Sequence, residues 1–164
     1  MDKDQALREA SELLYREGLA LDRQQWDGWL DLFTEDCELW IPSWVTEHEQ
    51  ITDPQQEISL LYLSGKSYLK ERTDRVLKGF SPASVPMPRT CHSVTNILVE
   101  ECSDDSMVVQ SVFRVDYYHH KKCYAFFGHY SHQLVRDQDG WKIHNKRIIL
   151  MNDFISEVLD VYLI

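Results

Sequence analysis

Residues 90–151 constrain the fold more than any other part of the chain. They read as four long extended segments, at about 90–101, 107–118, 123–136 and 140–151, parted by the short polar stretches SDDS, HHKK and DQDG. In the second segment Met107, Val109, Phe113, Val115 and Tyr117 fall on one side and Gln110, Arg114 and Asp116 on the other. That is the two-residue period of a strand with one buried face. The third places Tyr124, Phe126, Tyr130 and Leu134 on one face. Polar stretches this short join neighbouring antiparallel strands. The segments therefore predict a meander, and long twisted strands curl. The concave side must then be filled.

The first half of the chain supplies the filling. Leu7, Ala10, Leu14 and Leu21, flanked by Leu13, predict a helix over about 4–20. Asp22 followed three residues later by Gln25 reads as a capping box. Behind it Trp26, Trp29, Leu30 and Phe33 share one helical face. TEDC then breaks the pattern, and ELWIP predicts a short strand ended by Pro42. Residues 43–57 read as a loop, with one helical turn in TDPQQE, and ISLLYL as a short buried strand. A third helix is predicted over 66–78, burying Leu69, Thr73, Val76, Leu77 and Phe80, before the irregular GFSPASVPMP. Helices first and strands after predict an α+β fold, with about three helices on one face of a curved antiparallel sheet. With no linker or repeat, residues 1–164 read as one domain.

Charge narrows the function. Lys and Arg number 17 against 27 Asp and Glu, a formal net charge of −10, which disfavours nucleic acid and anionic membranes as partners. No apolar run is long enough to span a bilayer. The charged start MDKDQALREASELL lacks the apolar core of a signal peptide, so a cytoplasmic location is expected. Cys37, Cys91, Cys102 and Cys123 form no C-x-x-C pair and are expected as thiols, serving as small, partly buried hydrophobes.

Seven histidines, His48, His92, His119, His120, His129, His132 and His144, raise the question of a metal. A Rieske centre takes two cysteines and two histidines, in two short clusters. Cys91 and His92 form one, and no second follows. A mononuclear iron site needs two histidines and a carboxylate converging on a point. Strand parity sends His119 and His120 to opposite sides, and His129 and His132 likewise. Glu157 and Asp160 follow the last strand with no histidine nearby. There is no G-x-S-x-G and no glycine-rich phosphate loop among the 6 glycines. One catalytic arrangement survives. A curled sheet with helices in its mouth can form a pocket, where Asp36, Tyr15, His92 and His132 are candidates for acid–base chemistry. Against it, Trp26, Trp29, Phe33, Phe113, Phe126, Tyr130 and Trp141 are enough bulk to plug a small cone. Trp40, Trp44, DYYHH and the apolar ending LDVYLI suggest contact surfaces, and together an obligate oligomer.

Four stretches, LFTEDCELWIP, DPQQEISL, ERTDRV and PRTCHSVTN, then a meander ending GWKIHNKRIILMND, occur in this order. In that combination the chain resembles the small (β) subunit of aromatic-ring-hydroxylating dioxygenases, of the benzoate and anthranilate (aminobenzoate) type, over nearly its whole length. The stretch SGKSYLKERTDRVLKGFSPASVPMP departs from the benzoate form and leans the reading towards an aminobenzoate. The resemblance implies a cone-shaped fold of the nuclear-transport-factor-two, ketosteroid-isomerase and scytalone-dehydratase kind. It implies a non-catalytic subunit with no metal or cofactor of its own. The expected partner is a large (α) subunit carrying a Rieske [2Fe–2S] cluster and a mononuclear iron, assembled three plus three, with electrons from a separate reductase. Trp40, Trp44, Arg75, Arg89, His92 and Tyr118 are the expected interface residues. Two other functions stay open, a free-standing cone-fold isomerase or dehydratase and a binding module for a small aromatic.

Overall fold

The computed structural model describes residues 1–152, 154–155 and 158–164; Glu157 lies outside them. The first helix, α1 (Lys3–Asp22), buries Ala6, Ala10, Leu13, Leu14, Glu17, Gly18, Ala20 and Leu21. This is a stripe at helical spacing, rotated from the expected one so that Leu7 is exposed. A short α2 (Trp26–Leu30) follows. Trp26, Trp29 and Leu30 are buried as expected, but Phe33 belongs to the next element, β1 (Phe33–Ile41). The expected capping box is absent. Gln25 stands at the cap of α2 with no side-chain bond, and Asp22 ends α1.

β1 absorbs the stretch TEDC, so the strand is longer than ELWIP alone. The residues Glu35 and Asp36 are exposed where the pairing register shifts between Phe33 and Glu38. That irregularity hides the alternation from a reading of the sequence. β2 (Leu61–Ser64) is the tail of ISLLYL, while Ile58 is exposed. In α3 (Lys66–Leu77), Leu69, Thr73 and Val76 are buried. Leu77 and Phe80 are exposed, because the helix ends at Leu77 and the chain turns away at Gly79.

The meander forms as expected: β3 (Arg89–Cys102), β4 (Ser106–His119), β5 (Lys122–Asp137) and β6 (Gly140–Leu150) pair antiparallel in succession. The order across the six-stranded sheet is β2-β1-β6-β5-β4-β3. β1 pairs with β6 in parallel, so the sheet is mixed rather than purely antiparallel. The helices and the inward faces of the strands share one core, in which Trp29, Phe33, Phe113, Tyr130 and Tyr162 are among the largest buried side chains. The apolar ending is part of that core. Val161, Tyr162, Leu163 and Ile164 are buried, and the Tyr162 hydroxyl lies 2.8 Å from Ser84 Oγ. It docks within the chain, so it no longer argues for an oligomer. Of the cysteines Cys37 is buried and Cys102 half-buried, but Cys91 and Cys123 are exposed.

At Gly128 the backbones of β5 and β6 approach closely. A Cβ there would meet the Ile149 carbonyl oxygen at 1.9 Å. Only a residue without a side chain lets β5 and β6 lie so close.

Candidate functional site

The interior carries a polar layer that composition gives no hint of. Glu17 sits on the buried stripe of α1, and His132 on β5 is in register with Lys146 on β6. Lys146 Nζ donates to Glu17 Oε1 at 2.7 Å, and His132 Nε2 lies 3.7 Å from Glu17 Oε2. The side chains of Glu17, Lys146 and His132 are 3%, 2% and 0% exposed. Lys146 Nζ also stands 4.2 Å from the centre of the Tyr130 ring, which is stacked on Phe113 at 4.1 Å. This is a cation over an aromatic face in a dry setting.

The electrostatics follow from burial and partners. Burial pushes the Glu17 carboxyl up, but the Lys146 charge and the His132 ring outweigh it and hold the group at about 2. Burial pushes His132 below its ordinary value against the pull of Glu17. Burial, with Glu17 and Asp22 adding, raises the Tyr130 hydroxyl well above its usual range. Glu17 and Lys146 therefore form an ion pair beside a neutral imidazole.

A second polar knot closes the C-terminal end of α1. Asp22 accepts from Thr90 Oγ1 at 2.8 Å and from the His92 backbone N–H at 3.0 Å, and its Oδ1 lies 2.6 Å from His92 Nδ1. Burial opposes ionisation of Asp22, yet these His92 and Thr90 bonds hold its carboxyl below the usual range. The helix comes this close because Gly18 faces β3. A Cβ on Gly18 would stand 3.0 Å from His92 Cβ.

The four acid–base candidates do not converge. Tyr15 is 51% exposed on α1. Asp36 is exposed on β1, 3.4 Å from His144 Nδ1. His92 is bound to Asp22, and His132 lies in the core beside Glu17. The clefts beside Trp44 and Met151, beside Glu9 and Trp141, and beside Phe33 and Lys142 are lined by none of the interior polar residues. Glu17 and Lys146 are engaged with each other, and Asp22 with Thr90 and His92.

The metal donors likewise fail to gather. Among the described residues no group of three or more His, Cys, Asp or Glu could hold a metal ion. Cys91 is exposed while the His92 side chain is 3% exposed and bound to Asp22. His129 is exposed and His132 buried, as strand parity predicts. Parity fails for His119 and His120. His120 has a φ of 47°, past the end of β4, and its ring turns back to within 3.9 Å of the His119 ring centre. The nitrogen Nε2 of His119 already lies 2.9 Å from the Pro86 carbonyl oxygen. Among the described residues Cys91, His92, His119 and His132 are thus set apart or engaged with other side chains and backbone, and do not converge on one point. Among the described residues, no helix is long and apolar enough to cross a membrane.

The six expected interface residues divide. Arg75, Arg89 and Tyr118 are exposed, and the Arg89 guanidinium stacks 4.6 Å over the Tyr118 ring. Trp40 is half-buried, donates to Ser59 Oγ at 2.9 Å and lies 4.8 Å below Arg147. Trp44 is half-buried too and donates to the Leu150 carbonyl at 2.7 Å. His92 faces α1. The residues that sequence reasoning missed are Glu17, Asp22 and Lys146. A charge inside an apolar helical stripe was the available signal for Glu17. Lys146 keeps the parity of the buried Ile148 and Leu150.

An open, curved mixed sheet with helices against its concave side defines the cone-shaped α+β class shared by solved structures of the NTF2-like and scytalone-dehydratase kind. Within that class the chain belongs to the ring hydroxylating beta subunit family, whose model matches residues 16–157. It is 32% identical over 152 residues to the anthranilate 1,2-dioxygenase small subunit of Acinetobacter baylyi, covering 93% of each chain. It is also 32% identical to the benzoate 1,2-dioxygenase subunit beta of the same organism, covering 96% of this chain and 93% of that one. The crystal structure of the benzoate 1,2-dioxygenase beta subunit from Burkholderia mallei is similar at a TM-score of 0.79 and 31% identity, over 94% of this chain and 95% of that one.

Proposed function

We propose that this chain is the non-catalytic small subunit of an oxygenase that hydroxylates the ring of a benzoate-like acid, an aminobenzoate or benzoate, in aromatic catabolism. The near end-to-end likeness to small subunits named for those acids carries the reading. In it residues 1–164 act as one cytoplasmic domain that braces a large subunit in a three-plus-three hexamer. The large subunit holds the Rieske cluster and the mononuclear iron, and a reductase feeds it electrons. A filled interior whose acids and bases neutralise one another supports a mechanical part. It also speaks against a free-standing isomerase or dehydratase.

The contact surface is proposed at Trp40, Trp44, Arg75, Arg89, His92 and Tyr118. Arg75, Arg89 and Tyr118 offer accessible charge and ring faces; the other three act by shaping the backbone that carries them. The test is to purify the chain alone and together with its large subunit, and to measure mass, iron and turnover of benzoate and aminobenzoate. The expected result is a lone chain without iron or activity, and a co-eluting hexamer with both. A lone chain that converts substrate, or that never associates with the large subunit, overturns the reading.

A further inference from the structure

β3 is an edge strand of 14 residues. A long edge with unpaired N–H and C=O groups is a template for a strand from another molecule. Two features disturb this edge at its far end. Asn96 has a φ of 52°, and the register shifts between Thr95 and Leu98 and again between Val99 and Glu101. Bulges of this kind spoil an edge for pairing. The near end, Arg89 to Thr95, pairs residue for residue with β4 and has no bulge.

On that regular stretch the His92 N–H points not to β4 but to Asp22 Oδ2, at 3.0 Å. In an antiparallel pair outward N–H groups recur every second residue, so Thr90, His92 and Val94 face the open edge. Asp22 fills the middle of these positions, and its other oxygen takes the Thr90 hydroxyl. The close seat of Gly18 on His92 brings α1 near enough for that reach. A carboxylate oxygen thus stands where the carbonyl of an incoming strand would go, and its negative charge repels that carbonyl.

We propose that Asp22 is an edge guard, which keeps β3 from pairing with β3 of a second copy of this chain. An extended edge is complementary to itself under a two-fold axis, so the second copy is the partner that the unguarded edge fits. The inference is independent of the proposed oxygenase function.

The test uses the full-length chain in three variants. Asp22→Ala removes the guard and should double the parent's mass in light scattering at micromolar concentration. Asp22→Asn keeps an oxygen for the His92 N–H and should keep the parent's mass. Asp22→Ala with Val94→Pro removes an outward N–H without touching the ladder to β4, and should restore the parent's mass. A folded Asp22→Ala chain of unchanged mass overturns the proposal, as does association that Val94→Pro leaves intact. Hydrogen exchange on the parent needs no variant to fold. The His92 amide should exchange at least tenfold more slowly than that of Val94, and equal rates overturn the guard.

Discussion

Glu17 and Lys146 both leave water on folding, and a buried pair recovers that desolvation cost only through its partner. Removing one member strands the other's charge in the core. Lys146→Met or Glu17→Leu should each cost about 3–5 kcal/mol, while the double variant should cost far less than their sum. A double-mutant cycle in denaturant measures the coupling. The pH dependence has the same origin. Glu17 titrates at about 2 in the folded chain against 4.5 ordinarily, so its contribution is full above 4.5 and is lost as pH falls towards 2. His132 is pushed below 6.5, so the folded state resists protonation and stability begins to fall once pH drops below 6.5. Both act in one direction, and Asp160, raised by burial, acts in the other. Thermal melts from pH 7 to pH 4 should show a falling midpoint, and Lys146→Met with Glu17→Leu should flatten the slope below pH 5.

At the scale of elements, Gly128 and Asp22 do what no pattern of apolar residues could announce. Gly128→Ala forces a methyl group into the Ile149 carbonyl. It should cost about 3 kcal/mol, read as a fall in the melting midpoint of several degrees. The meander was legible because strict alternation and short polar turns survive in the sequence. β1 was only half legible, since its register shift leaves Glu35 and Asp36 exposed within a strand. Helix α3 was placed well, but Leu77 and Phe80 looked buried because periodicity does not show where a helix stops. Asp22 has the chemistry of a helix cap, and its real partners, Thr90 and His92, lie 68 and 70 residues away. Of the interior polar layer only His132 was singled out, because a buried charge becomes recognisable when its distant partner is seen.

For the whole molecule, the ending Leu159–Ile164 closes the core that the sheet and α1 begin. Tyr162 is fully buried, with its hydroxyl 2.8 Å from Ser84 Oγ. Tyr162→Ala should cost about 3–5 kcal/mol, which denaturant unfolding followed by circular dichroism measures directly. In the proposed hexamer the same variant should lower the yield of complex without changing the iron bound per complex recovered. The parallel seam between β1 and β6 joins Phe33 to Ile143. In a nascent chain leaving the ribosome β1 can pair early with β2 along Glu38–Ile41, but its other edge stays open until almost all of the chain has been translated. Contacts so distant in sequence form late, and exposed apolar residues invite clumping in the interval. Production of this polypeptide should be limited by how well chaperones shield that waiting strand.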